Sequence, residues 1–124
     1  MFRLEAERLG WCAIVALGYE AGSWLKIAVT SDVENVVKQG QAHHPEDYEA
    51  RLVLFATDKL FATQVRDDMI KAAAGDHQLL SGSCVAMSVA AARAAIEAAA
   101  ARVGVGLHTV EQWEQAVEAG VRGR

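Results

Sequence analysis

The sequence predicts an α+β domain. It expects a small, three-stranded, mainly antiparallel sheet in the order β-β-α-β-α, packed by helices, with two further C-terminal helices. Three observations predict it. Residues 11–17, WCAIVAL, and 24–30, WLKIAVT, are two apolar runs joined by the glycine-bearing GYEAGS, the pattern of a hairpin. Residues 48–57, YEARLVLFAT, form a third run of strand length. The remaining segments place apolar residues at helical spacing behind polar caps.

In the first two strands the alternation sets the faces. Leu25, Ile27 and Val29 point one way, and Trp24, Lys26, Ala28 and Thr30 the other. Ser31-Asp-Val-Glu34 has the spacing of a capping box, in which hydroxyl and carboxylate each accept from the other residue's N–H. The helix it opens runs to about residue 39, with Val33, Val36 and Val37 on its inner face, and Gly40 ends it. AHHPED is a loop whose Pro45 is the only proline. In the third strand Leu52, Leu54 and Ala56 face one side and Val53 and Phe55 the other. Such a strand is central, or covered on both faces.

Thr57 or Asp58 caps a second helix over 59–74, with the stripe Leu60, Phe61, Val65, Met69 and Ala72. GDHQLLSGS is a loop with a short extended piece at 79–80. An alanine-rich helix over 88–103 follows, with Val89, Ala92, Ile96, Ala99 and Val103 on one face. Its small residues pack closely either on the domain's own sheet or on a second copy of the chain. Thr109-x-x-Gln112 is another capping box, opening a helix to about 119 with the stripe Val110, Trp113 and Val117. GVRGR is a basic tail. Ala100, Gly104, Val110 and Trp113 also stand at helix-turn-helix spacing, though Glu111 and Glu114 on the outer face suit phosphates poorly.

At 124 residues the chain has the length of one domain. No apolar run approaches a membrane span, and MFRLEAERLG carries charge where a signal peptide has its apolar stretch. A cytoplasmic protein without a membrane partner is the expectation. The net charge is −4, and residues 24–75 hold no basic excess, which argues against tight, charge-driven nucleic-acid binding. Cys12 and Cys84 read as two partly buried thiols. His43-His44 with Glu46-Asp47 sit in a proline-containing loop that does not converge them on one metal ion.

Lys26-Ile27-Ala28-Val29-Thr30, then His44-Pro45, then Ser81-Gly82-Ser83-Cys84-Val85 stand in a telling order. Over residues 12–97 the chain resembles the GIY-YIG nuclease superfamily, in its compact phage and bacterial branch. There a strand of the type aliphatic-Lys-Ile-Gly-aliphatic-Thr is followed by a helix, a His-Pro turn, a strand, a second helix and a Gly-Glu-Trp-Phe-like segment. The resemblance implies a first-strand tyrosine, a helix-borne arginine and a glutamate that holds one divalent metal as Lewis acid. Those positions fall at Ala13, at Asn35 or Val36, and at Gln64 or Val65, and the second-strand glycine falls at Ala28. None carries the required group.

The expectation is therefore a GIY-YIG-like domain over 1–97 with a C-terminal helical extension over 98–124 packed on it. It has lost catalysis and serves as a nucleic-acid-binding or regulatory interaction module, of phage or bacterial descent. Lys26, Lys38, Arg51 and Arg66 are the candidate phosphate contacts. No catalytic residue, metal or cofactor is expected; DNA, another protein or a second copy in a homodimer are the candidate partners. Three alternatives stay open. One is an active metal-dependent endonuclease in a shifted register that uses Tyr19, Arg66, Asp67 or Asp68. The others are a DNA-binding regulator acting through the C-terminal helices, and an assembly factor that touches only protein.

Overall fold

The computed structural model describes residues 10–19, 23–42 and 48–122, with side chains to 119. Among them the chain forms strands β1 (Cys12–Gly18), β2 (Leu25–Thr30), β3 (Glu49–Ala56), β4 (Leu79–Ser81) and β5 (Cys84–Val85). It forms helices α1 (Val33–Gln41), α2 (Lys59–Gly75), α3 (Val89–Val103) and α4 (Val110–Arg122). The fold is α+β, and all strand pairs are antiparallel, in the order β3-β1-β2-β5-β4.

The sheet therefore has five strands where three are expected. The two additional strands come from GDHQLLSGS and the residues after it. They are only three and two residues long, too short for a periodic signal. Their turn depends on Gly82, whose φ of 52° lies in the left-handed region that glycine adopts freely. The Ser83 carbonyl accepts from the Ile27 N–H at 2.9 Å, which ties the turn to β2.

β1 is the central strand, buried along its whole length because both faces are covered. Cys12, Ile14 and Ala16 enter one core with Leu25, Ile27, Leu54 and the inner residues of α2 and α3. Ala13, Val15 and Leu17 enter a second core with Val33 of α1, Tyr48, Phe55 and Trp113 of α4. The molecule thus has three layers: α2 and α3, the sheet, then α1 and α4. The expected face assignments in β2 and β3 hold. β3 is an outer strand covered on both faces, the second of the two expected arrangements, and part of its free edge is closed by reciprocal backbone hydrogen bonds of 2.8 Å between Phe55 and His108.

Several boundaries move. The cap of α1 is Asp32 instead of Ser31: its carboxylate accepts from the Asn35 N–H at 3.0 Å, and the Thr30 hydroxyl accepts from the Asp32 N–H at 2.9 Å. Gly40 lies inside α1 instead of ending it. α2 is capped by Asp58 and buries Val65 and Met69 as expected, together with Ala62 and Ala73, while Ala72 is exposed. Leu60 and Phe61, expected inside, are 63% and 39% exposed. In α3, Val103 is exposed and Ala100 takes its place in the core. α4 continues to Arg122, into what reads as a tail. Residues 1–9, the proline loop 43–47 with its histidines, and the end at 123–124 lie outside the described residues.

The C-terminal segment is not a helix-turn-helix. α3 buries its stripe in the first core and α4 buries Val110, Trp113 and Val117 in the second, so the two helices lie on opposite faces of the sheet. Residues 105–109 carry the chain around the β3 edge between them. The small-residue face of α3 is likewise used within the chain, against α2 and the sheet. No helix among the described residues is long and apolar enough to cross a membrane.

Candidate functional site

On the second face, α1 and α4 pack chiefly over β1 and β3, which leaves β2 and β5 less covered. A cleft of about 710 Å³ lies there. Trp24, Lys26 and Ala28 come from β2 and the residue ahead of it, Val36, Gln39 and Gly40 from α1, and Tyr48 from the start of β3. Ser81 to Cys84 form the rim. Period-two alternation puts Lys26 here: its strand neighbours Leu25 and Ile27 are in the opposite core, and Lys26 itself is exposed. Across the ladder it pairs with Leu17 on one side and Cys84 on the other.

The aromatic wall is built by edge contacts. The rings of Tyr19 and Trp24 are perpendicular with centroids 5.8 Å apart, and those of Tyr19 and Tyr48 are inclined at 70° with centroids 5.9 Å apart, the geometry that ring quadrupoles favour. Tyr48 packs directly against Gly40, where any Cβ would overlap its ring. Its backbone N–H donates to the Gln41 side chain at 2.7 Å. Burial, with smaller effects of Cys84 and Tyr19, raises the Tyr48 phenol above its ordinary value, so it remains a hydroxyl at neutral pH.

Of the four cations singled out from the sequence, only Lys26 lines the cleft. Lys38 is exposed near the end of α1, where a cation suits the helix dipole. Arg51 is structural. The β1–β3 register slips by one residue between Ala16 and Leu17, which leaves Arg51 as the extra residue of a bulge. Its guanidinium donates to the Tyr19 carbonyl at 2.6 Å and lies 3.6 Å from Glu49. Arg66 belongs to α2, on the other side of the sheet, and pairs with Asp67 at 3.1 Å.

The positions that the nuclease resemblance makes catalytic do not converge either. Ala13 is buried under the second-face helices, Ala28 and Val36 line the cleft, and Asn35 is exposed. Val65 lies in the opposite core and Gln64 is exposed on α2. The described lining residues hold one ammonium and no carboxylate, and no three metal-ligating side chains gather among the described residues. Among the described lining residues no carboxylate set is present to hold a divalent metal, so they do not fit that ion.

The cysteines serve separate places. Cys12 is buried at one end of β1, where burial raises its thiol above the ordinary value. Cys84 opens on the cleft at the level of Leu17, so the two are separated by about 17 Å along the sheet from the strand rise alone, well beyond disulfide reach. Sequence reasoning missed Tyr48, Gln39 and the serine rim as parts of the site. For Tyr48 an indirect signal exists: Gly40, read from the sequence as a helix end, lies inside α1, where a glycine marks the close approach of another group. Comparison with protein-family models, with curated proteins and with solved structures finds nothing that matches this chain.

Proposed function

We propose that this chain is a GIY-YIG-like domain without nuclease chemistry that binds nucleic acid at the cleft beside Lys26. One observation carries the reading: the cleft presents a single exposed ammonium, with an aromatic wall and no described carboxylate, in a volume typical of a ligand site. An anionic, ring-bearing ligand fits that chemistry. The strand-strand-helix-strand-helix order supports the family likeness, and Ala13, Ala28, Asn35 and Gln64 support the loss of catalysis. A regulatory role in the cytoplasm accords with this reading.

A salt-titrated gel shift with labelled DNA tests it, alongside plasmid incubated with Mg²⁺ or Mn²⁺. Binding that weakens in Lys26→Gln, with the plasmid intact, is the expected result. Metal-dependent cutting that survives Gln64→Ala and Asn35→Ala would return the chain to the nucleases.

A protein-interaction reading has its own observation. Leu60 and Phe61 expose apolar surface side by side at the start of α2, 63% and 39% accessible. A homodimer through this patch is its simplest form. Sedimentation of the wild type against Leu60→Lys decides it: a monomer at all concentrations removes that form.

A further inference from the structure

We infer that the cleft takes an unpaired nucleotide, so that the chain prefers single-stranded nucleic acid to duplex. The inference rests on the nucleic-acid reading of the cleft and narrows it.

Three features lead there. The first is the juxtaposition of Trp24 and Lys26. Both line the cleft, and they are two residues apart on a nearly extended chain, roughly 7 Å by the strand rise. A base laid on the indole places its own phosphate within reach of the ammonium. The second is that stacking needs an exposed base face. In a duplex those faces are covered by neighbouring pairs, whereas a single strand offers them. The third is charge. Duplex binding draws on many neutralised phosphates along a basic stripe. Here Lys26 is the only cation lining the cleft among the described residues, Arg51 and Arg66 are occupied elsewhere, and the chain carries a net −4. Ser81 and Ser83 on the rim, with Gln39 opposite, supply donors and acceptors for a base edge. The rim is held in place by the Ser83 carbonyl bond to β2.

The test is equilibrium binding of a labelled oligo(dT) strand and of an oligo(dA)·oligo(dT) duplex to the full chain across a salt series. The single strand is expected to bind at least about tenfold more tightly than the duplex. Its log–log salt slope should be shallow, about −0.7 for each phosphate neutralised. Lys26→Gln should flatten that slope by about the same amount. Trp24→Ala should weaken single-strand binding on the order of ten- to a hundredfold. Trp24→Phe keeps an aromatic face and should retain most of the affinity; melting curves of both variants separate a lost contact from a lost fold. Duplex binding as tight as or tighter than the single strand overturns this inference and leaves the nucleic-acid reading standing. Single-strand affinity unchanged in a folded Trp24→Ala protein overturns it too. Absence of binding to both probes at low salt removes this inference and the reading beneath it together.

Discussion

Gly40 and Tyr48 show how one missing side chain positions a site. A helix interior does not favour glycine, which costs up to about 1 kcal/mol there relative to alanine. The cost is accepted because the Tyr48 ring, 5% exposed, occupies the space of a Cβ. Gly40→Ala should destabilise the fold by about 1–3 kcal/mol, the range of overpacking, despite alanine's better helix propensity. In a Tyr48→Ala background the same change should be neutral or mildly stabilising, since the ring is gone. Urea denaturation of the four proteins in this cycle measures the coupling. Additive effects would mean that the two residues do not meet. The same contact sets α1 against the start of β3 and so fixes one wall of the cleft.

The helices differ in how far their own sequences specify them. α4 is specified twice over. Its first turn is closed by the reciprocal pair in which the Gln112 side chain accepts from the Thr109 N–H at 2.8 Å and the Thr109 hydroxyl accepts from the Gln112 N–H at 3.2 Å. Its stripe of Val110, Trp113 and Val117 meets the second core as its spacing requires. Thr109→Ala should cost about 1 kcal/mol, read as a lower denaturation midpoint with an unchanged slope; Thr109→Ser should restore it. An unmoved midpoint in the alanine variant would show the cap to be idle. α2 is less legible. Its bulkiest apolar residues, Leu60 and Phe61, sit in the first turn, while the face against the sheet is Ala62, Val65, Met69 and Ala73. Val65 and Met69 are read correctly, but the first-turn contact is made by Ala62 and not by the bulkier Leu60 and Phe61, so a reading that follows apolar bulk misplaces the start of the stripe. The three long strands are legible from alternation and length. β4 is visible only as the extended piece at 79–80 and β5 is not visible at all, because strands of three and two residues have no period to detect.

At the scale of the whole molecule, the decisive feature is that the chain crosses from one side of the sheet to the other near its end. Ala100 and Gly104 suggest two helices packed on each other, and the spacing alone cannot tell that arrangement from helices on opposite faces; the choice depends on which core each stripe enters. The cleft has the same limit. Lys26 is visible in the sequence as a cation on a strand face, but its neighbours from α1 and from the Ser81–Cys84 rim are brought there only by the tertiary fold. The crossing also makes the C-terminus integral to the domain. Val105 and Leu107 pack on the first core, His108 pairs with the β3 edge and stacks on Trp11 at 4.7 Å, and Trp113 stacks on Phe55 at 5.3 Å. Trp113 is 2% exposed, and truncating a buried aromatic of that size to alanine costs about 3–5 kcal/mol. A domain of this length has about 5–15 kcal/mol in all. Trp113→Ala should therefore consume a large part of the stability, and deletion of residues 104–124, which removes every one of these contacts at once, should abolish the cooperative thermal transition. A truncated chain that still melts sharply near the full-length temperature would show the segment to be a separable extension. If the transition is lost, deletion also removes binding indirectly, and only substitutions within the folded cleft, at Trp24 and Lys26, can report where nucleic acid is held.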